Sequence, residues 1–271
     1  MLQNIGTIFF ADSDFLVVLK NSLIPCAPLN ENSECLLFEV AKDFPDVLDV
    51  KNSKKAIEAG LIHRIDNDTT GLVLIARTQK FYDYIMTIQE DGKFKKTYTA
   101  ICNFDSENSK KLGGFPLEVD IKNNHITSLF RNFGEGGKVV RPVLVNSNLK
   151  NKKVCKNIYT TTIKKIESLS SNVENGKNSE NTEKKIITAE IFKGYRHQVR
   201  CHLAWLGYPI VNDKLYNADF SKSGSESLLA EALSAESLVQ ENKMQFYAIG
   251  LEFPYFEDGR SKIFCFDCAL H

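Results

Sequence analysis

The chain has 271 residues, of which 43% are hydrophobic and 25% are charged. This composition provides enough apolar side chains for a full hydrophobic core and excludes a disordered or fibrous protein. The 34 basic and 34 acidic residues cancel. Net charge therefore cannot attract a polyanion, and any anionic partner must be bound by a local basic patch.

The seven cysteines are odd in number, scattered along the chain and too sparse to form a disulfide framework. This usage is typical of a reducing compartment. The start of the chain lacks the basic leader and the apolar stretch of a signal peptide, and the longest apolar run, at 72–76, is too short to span a bilayer. We therefore expect a soluble, cytoplasmic protein.

Alternating or continuous apolar residues predict strands in five segments, the last of which is long enough for two strands: 15–19, 72–76, 94–102, 186–192 and 246–268. Helical spacing predicts helices in five others: 35–40, 56–60, 78–92, 194–206 and 228–239. We expect Thr78 to cap its helix, because a threonine side chain can accept a backbone N–H at a helix start. Lys96 and Tyr98 lie two residues apart on a predicted strand and therefore share one face.

The densest polar cluster occupies 63–71, between two apolar segments. A calcium loop requires a glutamate where this chain has Arg77, and a kinase catalytic loop requires an aspartate where it has Ile65, so both are excluded. A carboxylate on a turn that enters a strand can be kept ionised by backbone amides and a nearby cation. Asp66 is therefore a candidate nucleophile. The alternative is that Asp66 and Asp68 only form Asx turns, and the pattern leaves both interpretations open.

A second polar cluster occupies 194–202, at the start of a predicted helix. Helix N-termini favour anions, and an arginine can bind a carboxylate in bidentate fashion, so the cluster suits either a phosphate or the Asp66 carboxylate. A solvated basic helix start explains it equally well. Cys265, Cys268 and His271 resemble half of a zinc site but lack a second ligand pair, so we expect no metal.

Together these segments resemble the RluA-type pseudouridine synthases from about residue 15 to residue 253. The stretch HRIDNDTTGLVLIART at 63–78 is similar to the family's catalytic signature of His-Arg-Leu-Asp, two residues, Thr-Ser-Gly and an apolar strand. This similarity places Asp66 on the catalytic aspartate. KTYTA at 96–100 is similar to the family's Lys-x-Tyr-x-Ala strand and places Tyr98 on the active-site tyrosine.

The stretch 194–216 is similar to the family's Gly-Arg-Thr-His-Gln-Ile-Arg helix and to the Gly-x-Pro-Ile-x-Gly-Asp-x-x-Tyr segment that follows it. It places Arg200 on the arginine that pairs with the aspartate. The chain departs from the family pattern at three places. It has Tyr195-Arg196 where the pattern has Arg-Thr, Asn212 where the pattern has glycine, and Leu19-Lys20-Asn21 where the pattern has Asn-Lys-Pro.

The resemblance implies an α+β fold with a central, mixed, mostly antiparallel sheet flanked by helices. We expect residues 1–271 to form a single catalytic domain, with surface insertions at the polar segments 168–185 and 218–241. An N-terminal accessory RNA-binding domain is not expected, because the first family motif begins near residue 14.

The resemblance also implies isomerisation of uridine to pseudouridine in ribosomal or transfer RNA, which needs no cofactor. RNA is the expected partner, and we favour a monomer. The expected catalytic residues are Asp66, Tyr98 and Arg200. The expected substrate-binding residues are Arg64, His63, Arg196, His197 and Lys96. Loss of Arg200 is expected to impair activity more than folding. Two alternatives are a non-catalytic RNA-binding homologue that keeps the fold and an Asp-dependent hydrolase unrelated to RNA.

Overall fold

The computed structural model describes residues 5–30, 33–147, 153–169, 184–220, 243–257 and 259–268. Its strands are β1 Gly6–Ala11, β2 Phe15–Lys20, β3 Thr70–Ala76, β4 Lys95–Cys102, β5 Ile121–Lys122, β6 His125–Phe133, β7 Val139–Val143, β8 Tyr159–Ser168, β9 Lys185–Ile191, β10 Phe246–Glu257 and β11 Arg260–Asp267. Its α-helices are α1 Leu36–Asp43, α2 Gln79–Glu90, α3 Asn108–Leu112 and α4 Gln198–Trp205. Short 3-10 helices cover Pro45–Leu48, Ala56–Glu58 and Glu135–Gly137.

The chain divides into two compact units. The first contains residues 1–98 and 247–271, and the second contains residues 99–246. Strands in both units pair mostly in antiparallel fashion, and the parallel pair β3–β10 makes the arrangement mixed. The α+β class expected from the sequence is confirmed. That the two units form a single catalytic domain stays a prediction.

The first unit has the strand order β1-β2-β3-β10, with β11 paired to the outer part of β10. Strand β2 is buried almost throughout, which is why its sequence reads as a continuous apolar run. Helix α2 buries Phe81 and Ile85 against this sheet, and the Phe81 ring stacks on Phe15 with 4.6 Å between centroids. The predicted cap is confirmed, because Thr78 Oγ1 accepts the N–H of Phe81 at 3.3 Å.

Strand β3 pairs with β10 at a position where the close approach of the two backbones requires a glycine, Gly71. Thr70 lies opposite Tyr247 and Gly71 opposite Ala248 in the parallel pair. Gly71 has φ +146°, and a Cβ there would lie 2.3 Å from the carbonyl oxygen of Ala248. Only glycine allows the two backbones to come this close.

The second unit has the strand order β9-β8-β6-β5, and β7 pairs with the far end of β6. Helix α4 is anchored by His202, which is fully buried. Its Nε2 lies 2.9 Å from Ser128 Oγ, and its Nδ1 lies 2.8 Å from Thr161 Oγ1. The helix stops before Gly207, which has φ +87°, as the sequence pattern predicts.

Strand β1 and the strands from β5 to β8 were not predicted from the sequence. In β6 the buried face carries Ile126, Ser128 and Phe130, and the buried serine interrupts the apolar alternation that signals a strand. In β8 the buried side chains are Thr161 and Ile163, with threonine again replacing an apolar residue. These strands bury hydrogen-bonded hydroxyls, which a count of apolar residues does not register.

The predicted insertions fall largely outside the described residues, as does the predicted helix 228–239. At the edges of the first insertion, Ser168 of β8 pairs with Lys185 of β9. No helix in the part of the chain that the structure describes is long and apolar enough to cross a membrane.

Candidate active site

Asp66 lies in the tight turn that leads into β3. Before the turn the chain runs beside β3, and the N–H of Ile62 donates to the carbonyl of Leu74 at 3.1 Å. The chain then reverses, and the N–H of Thr69 donates to the carbonyl of Asp66 at 3.0 Å. The Asp66 residue is partly exposed. The turn therefore presents a carboxylate that a substrate can reach.

A buried lysine fastens this turn to the loop that follows β2. Lys20 is fully buried. Its Nζ donates to the carbonyl oxygens of Asn21 and Ile24, both at 2.8 Å, and to that of Asn67 at 3.0 Å. Because Asn67 follows Asp66 directly, one ammonium group holds the backbone beside the carboxylate.

Lys20 also belongs to the electrostatic environment of Asp66. Burial lowers the pKa of Lys20 to about 8, and interactions with Cys26 and with the carboxylates of Asp66 and Asp68 act in the opposite direction. Lys20 is not among the site residues predicted from the sequence. The available signal was a charged residue at the end of an otherwise apolar strand, inside a segment that aligns with the first family motif.

Tyr98 lies on β4 in the first unit and is only 8% exposed. Burial raises the pKa of its phenol well above the usual value, and the nearby charge of Asp66 raises it further. The phenol therefore stays protonated at neutral pH. The structure brings these two predicted catalytic residues close enough for one to change the pKa of the other.

His63 and Lys96 lie against the ring of Phe94. The His63 ring centroid is 5.4 Å from that of Phe94, and Lys96 Nζ is 4.7 Å from the same centroid. Burial lowers the pKa of His63 to about 3, and the charge of Lys96 acts in the same direction. Burial also lowers the pKa of Lys96 to about 8, with a further contribution from the charge of Lys54.

Arg200 lies on α4 in the second unit and forms a buried, bidentate ion pair. Its Nε and Nη2 donate to Oδ2 and Oδ1 of Asp213, both at 2.8 Å. The side chains of Arg200 and Asp213 are 3% and 0% exposed. Removal of Arg200 would leave a buried carboxylate without this partner, so the residue also supports folding, which sequence analysis did not anticipate. The pairing of Arg200 with Asp66 stays a prediction.

The two other predicted arginines are exposed in their respective units. Arg64 Nη1 donates to a carboxylate oxygen of Glu58 at 3.0 Å. Arg196 Nη2 donates to the carbonyl oxygen of Gly137 at 2.6 Å and to Asn132 Oδ1 at 3.0 Å. Both guanidinium groups therefore lie at the surface, where a polyanion can reach them.

Two positions of the family motifs in the second unit, His197 and Asn212, adopt a left-handed backbone conformation. His197 precedes α4 with φ +56°, and its Nδ1 lies 3.1 Å from the hydroxyl of Tyr216. Asn212 has φ +62° at the position where the family pattern has glycine. Asparagine tolerates this conformation better than most side chains, so this departure from the pattern preserves the backbone geometry before Asp213.

Among the described residues, no group of three or more His, Cys, Asp or Glu side chains lies close enough together to hold a metal ion. Cys265 is exposed, Cys268 is partly exposed, and His271 lies outside the described residues.

Two solved structures share the fold. Those of human RNA Pseudouridylate Synthase Domain Containing 1 and Domain Containing 4 each superpose with a TM-score of 0.55. The first is 16% identical and the match covers 96% of this chain and 82% of that one. The second is 18% identical, with 98% and 88% covered.

Curated sequences are also similar. Ribosomal large subunit pseudouridine synthase D of Blochmanniella floridana is 26% identical over 221 residues, which are 81% of this chain and 56% of that protein. RNA pseudouridine synthase 7 of Arabidopsis thaliana is 32% identical over 155 residues, which are 57% of this chain and 33% of that protein. The match thus spans about half and one third of the lengths of these two relatives.

The family model for RNA pseudouridylate synthase matches residues 14–205. This stretch contains the Asp66 turn, the β4 strand with Tyr98 and the helix with Arg200. Because the match covers well over half of the chain, the protein belongs to the RNA pseudouridylate synthase family and is of the RluA type.

Proposed function

We propose that this protein is an RNA pseudouridine synthase that isomerises uridine in ribosomal or transfer RNA, with Asp66 as the catalytic aspartate. One observation carries the proposal. Asp66 lies on a turn fixed by Lys20 and close to the buried, protonated phenol of Tyr98. Family membership supports the reaction type.

The reaction breaks the bond between ribose carbon 1′ and uracil nitrogen 1 and forms a bond from carbon 1′ to carbon 5. The proton on carbon 5 leaves and nitrogen 1 gains one, so atoms and charges balance without a cofactor. A carboxylate can attack carbon 1′, stabilise its positive charge or remove a neighbouring ribose proton, and it is regenerated in each case. We assign this role to Asp66.

Tyr98 provides an apolar ring on which the uracil can stack, with a hydroxyl near carbon 5. Because burial and the charge of Asp66 raise its pKa, the phenol begins each turnover protonated. It can assist loss of the carbon 5 proton as a relay that accepts one proton while it donates another. This assignment explains why a tyrosine is placed beside the carboxylate.

We also propose that Arg200 pairs with Asp66 in the assembled site. Its bidentate bonds to Asp213 fix the guanidinium in one orientation, and a fixed cation can hold a carboxylate in one position. Substrate contacts from Arg64, Arg196 and His197 are part of the same proposal.

Ribosomal RNA is the first substrate to test, because one relative is named for the large ribosomal subunit. Binding requires local cations, since the net charge of the chain is zero. The target uridine must leave its stack to reach the Asp66 turn. A cytoplasmic location and a monomeric state stay predictions.

The decisive experiment measures tritium release from RNA transcribed with 5-tritiated uridine, because the proton on carbon 5 is lost in the proposed reaction. Transcripts of large-subunit ribosomal RNA and of transfer RNA are tested in parallel. Wild-type protein should release tritium, and Asp66→Asn should be slower by about 10³-fold or more. Asp68→Asn is a matched control in the same turn and should stay within about threefold of wild type, since its backbone carbonyl makes the contact to Ser22.

Equal release by Asp66→Asn and wild type would exclude Asp66 as the catalytic carboxylate. Wild-type protein that binds both transcripts without releasing tritium would instead be the non-catalytic RNA-binding homologue. Melting curves of both variants show whether a loss of activity reflects a loss of fold.

A further inference from the structure

The first unit contains a buried lysine, Lys96, whose ammonium has no hydrogen-bond acceptor among the described residues. Lys96 is 5% exposed, and its Nζ lies over the Phe94 ring at 4.7 Å from the centroid. Within the described residues, no hydrogen-bond acceptor or carboxylate partners this ammonium. Burying a cation in this way is unfavourable unless another group compensates the charge.

A second buried polar group lies against the same ring. Both ring nitrogens of His63 are buried, and no hydrogen bond to them within the described residues meets the usual distance and angle limits, although the backbone of Leu72 interacts with the ring and acts to raise its pKa. The His63 ring meets Phe94 edge-on at 74°. Its pKa is lowered to about 3 by burial and by the charge of Lys96. The imidazole is therefore neutral and offers one donor and one acceptor nitrogen.

A purely structural role explains these two side chains poorly. The cation–π contact with Phe94 attracts the ammonium but leaves its N–H donors unused. A methionine would fill similar space at position 96 without desolvating a charge. The neighbouring charge that affects Lys96 is Lys54, which is also positive and increases the excess of positive charge.

The position of this pair relates it to the proposed catalytic residues. Lys96 precedes Tyr98 by two residues on the same face of β4, a separation of about 7 Å along the strand. His63 precedes Asp66 by three residues in the turn segment. A strand of RNA that places its uridine at Asp66 and Tyr98 would run along the two segments that carry His63 and Lys96.

We propose that Lys96 and His63, held against Phe94, form an anion subsite that binds a phosphodiester of the RNA strand next to the target uridine. This inference rests on the proposed function. A phosphodiester carries a full negative charge and several acceptor oxygens, so it can satisfy the ammonium and the imidazole N–H together. A uracil carbonyl carries only a partial charge and would leave the excess of positive charge uncompensated.

Three variants test the subsite. Lys96→Met removes the charge and keeps the length of the side chain, whereas Lys96→Arg keeps the charge. Lys95→Met is the matched control, because Lys95 is the preceding residue of β4, points to the other face and forms an ion pair with Glu252 at 2.6 Å. Each is assayed for KM and kcat of tritium release from the large-subunit ribosomal RNA transcript. The salt dependence of binding to the same transcript is measured as well.

For Lys96→Met we expect KM to rise about tenfold while kcat changes less than about threefold. The slope of log affinity against log salt concentration should become shallower by about 0.7 to 0.9, as for the loss of one phosphate contact. Lys96→Arg should keep the wild-type slope, and Lys95→Met should keep both the slope and KM. Melting of Lys96→Met at or above the wild-type temperature would show that the charge serves binding and not folding.

An unchanged salt slope and KM for Lys96→Met, in a protein that makes pseudouridine, would overturn the subsite and leave the proposed function intact. A lower melting temperature with an unchanged slope would make Lys96 a structural residue and would also overturn it. If wild-type protein binds RNA but releases no tritium, the proposed function fails, and the salt slopes alone decide whether Lys96 contacts a phosphate.

Discussion

Replacement of Lys20 by methionine should destabilise the protein by about 3 kcal/mol. The ammonium donates three hydrogen bonds to carbonyl oxygens, and each bond from a charged donor contributes about 1.5–3 kcal/mol. Against this loss, methionine avoids burying a charge. The fall in the pKa of Lys20 from 10.5 to about 8 corresponds to roughly 3 kcal/mol of that unfavourable term. The favourable free energy of the three hydrogen bonds is therefore larger than the unfavourable free energy of burying the charge.

The assay is thermal denaturation of Lys20→Met beside Lys96→Met. For a chain of this size, about 3 kcal/mol lowers the melting temperature by roughly 6–12 °C. Lys96 has a similarly lowered pKa but no acceptor among the described residues, so Lys96→Met should be neutral or raise the melting temperature by a few degrees, about 2–6 °C. If Lys20→Met and Lys96→Met change the melting temperature in the same direction and by the same amount, the hydrogen bonds from Lys20 to carbonyl oxygens do not stabilise the protein as stated here.

Other changes separate catalysis from folding. Tyr98→Phe keeps the ring but not the hydroxyl, so tritium release should slow by about 10²-fold with unchanged RNA affinity; full activity would contradict the relay. Arg200→Met should destabilise by about 3–5 kcal/mol because the buried Asp213 carboxylate loses its charged partner. Adding Asp213→Asn should recover part of the stability but not the activity, because the uncharged amide still offers an oxygen to the backbone N–H groups of Leu215 and Tyr216; paired melting and activity assays would check this. His63 and His202 have pKa values lowered to about 3 by burial, so the folded state binds fewer protons than the unfolded state below pH 6.5. Stability should therefore fall by about 2 kcal/mol per histidine between pH 7 and 5. Urea midpoints at the two pH values should show this, with a smaller fall for His202→Phe; a flat profile would count against buried neutral histidines.

The parts of the fold that follow regular patterns were predictable from the sequence. Strand β3 and helix α2 follow simple apolar periods, and the Thr78 cap follows from one side chain at a helix start. The missed strands bury Ser128 and Thr161, whose burial depends on a partner from another element, His202. A hydroxyl of this kind is recognisable as a core residue only when the tertiary contact is known.

The candidate site was predictable to a similar extent. The family resemblance pointed to Asp66 and Tyr98, and the structure places them near each other in the first unit. The ion pair of Arg200 with Asp213 and the three carbonyl contacts of Lys20 were not predictable. Both depend on where the backbone places carbonyl and carboxylate oxygens, which residue spacing in a sequence does not record.

The parallel pairing of β3 with β10 has a consequence for biosynthesis. Thr70 and Gly71 pair with Tyr247 and Ala248, so the sheet behind the Asp66 turn is completed by residues that a ribosome adds almost 180 positions later. A nascent chain carries its carboxylate turn long before the supporting strand emerges from the exit tunnel. The β3–β10 pair can therefore form only after Tyr247 and Ala248 have left the ribosome.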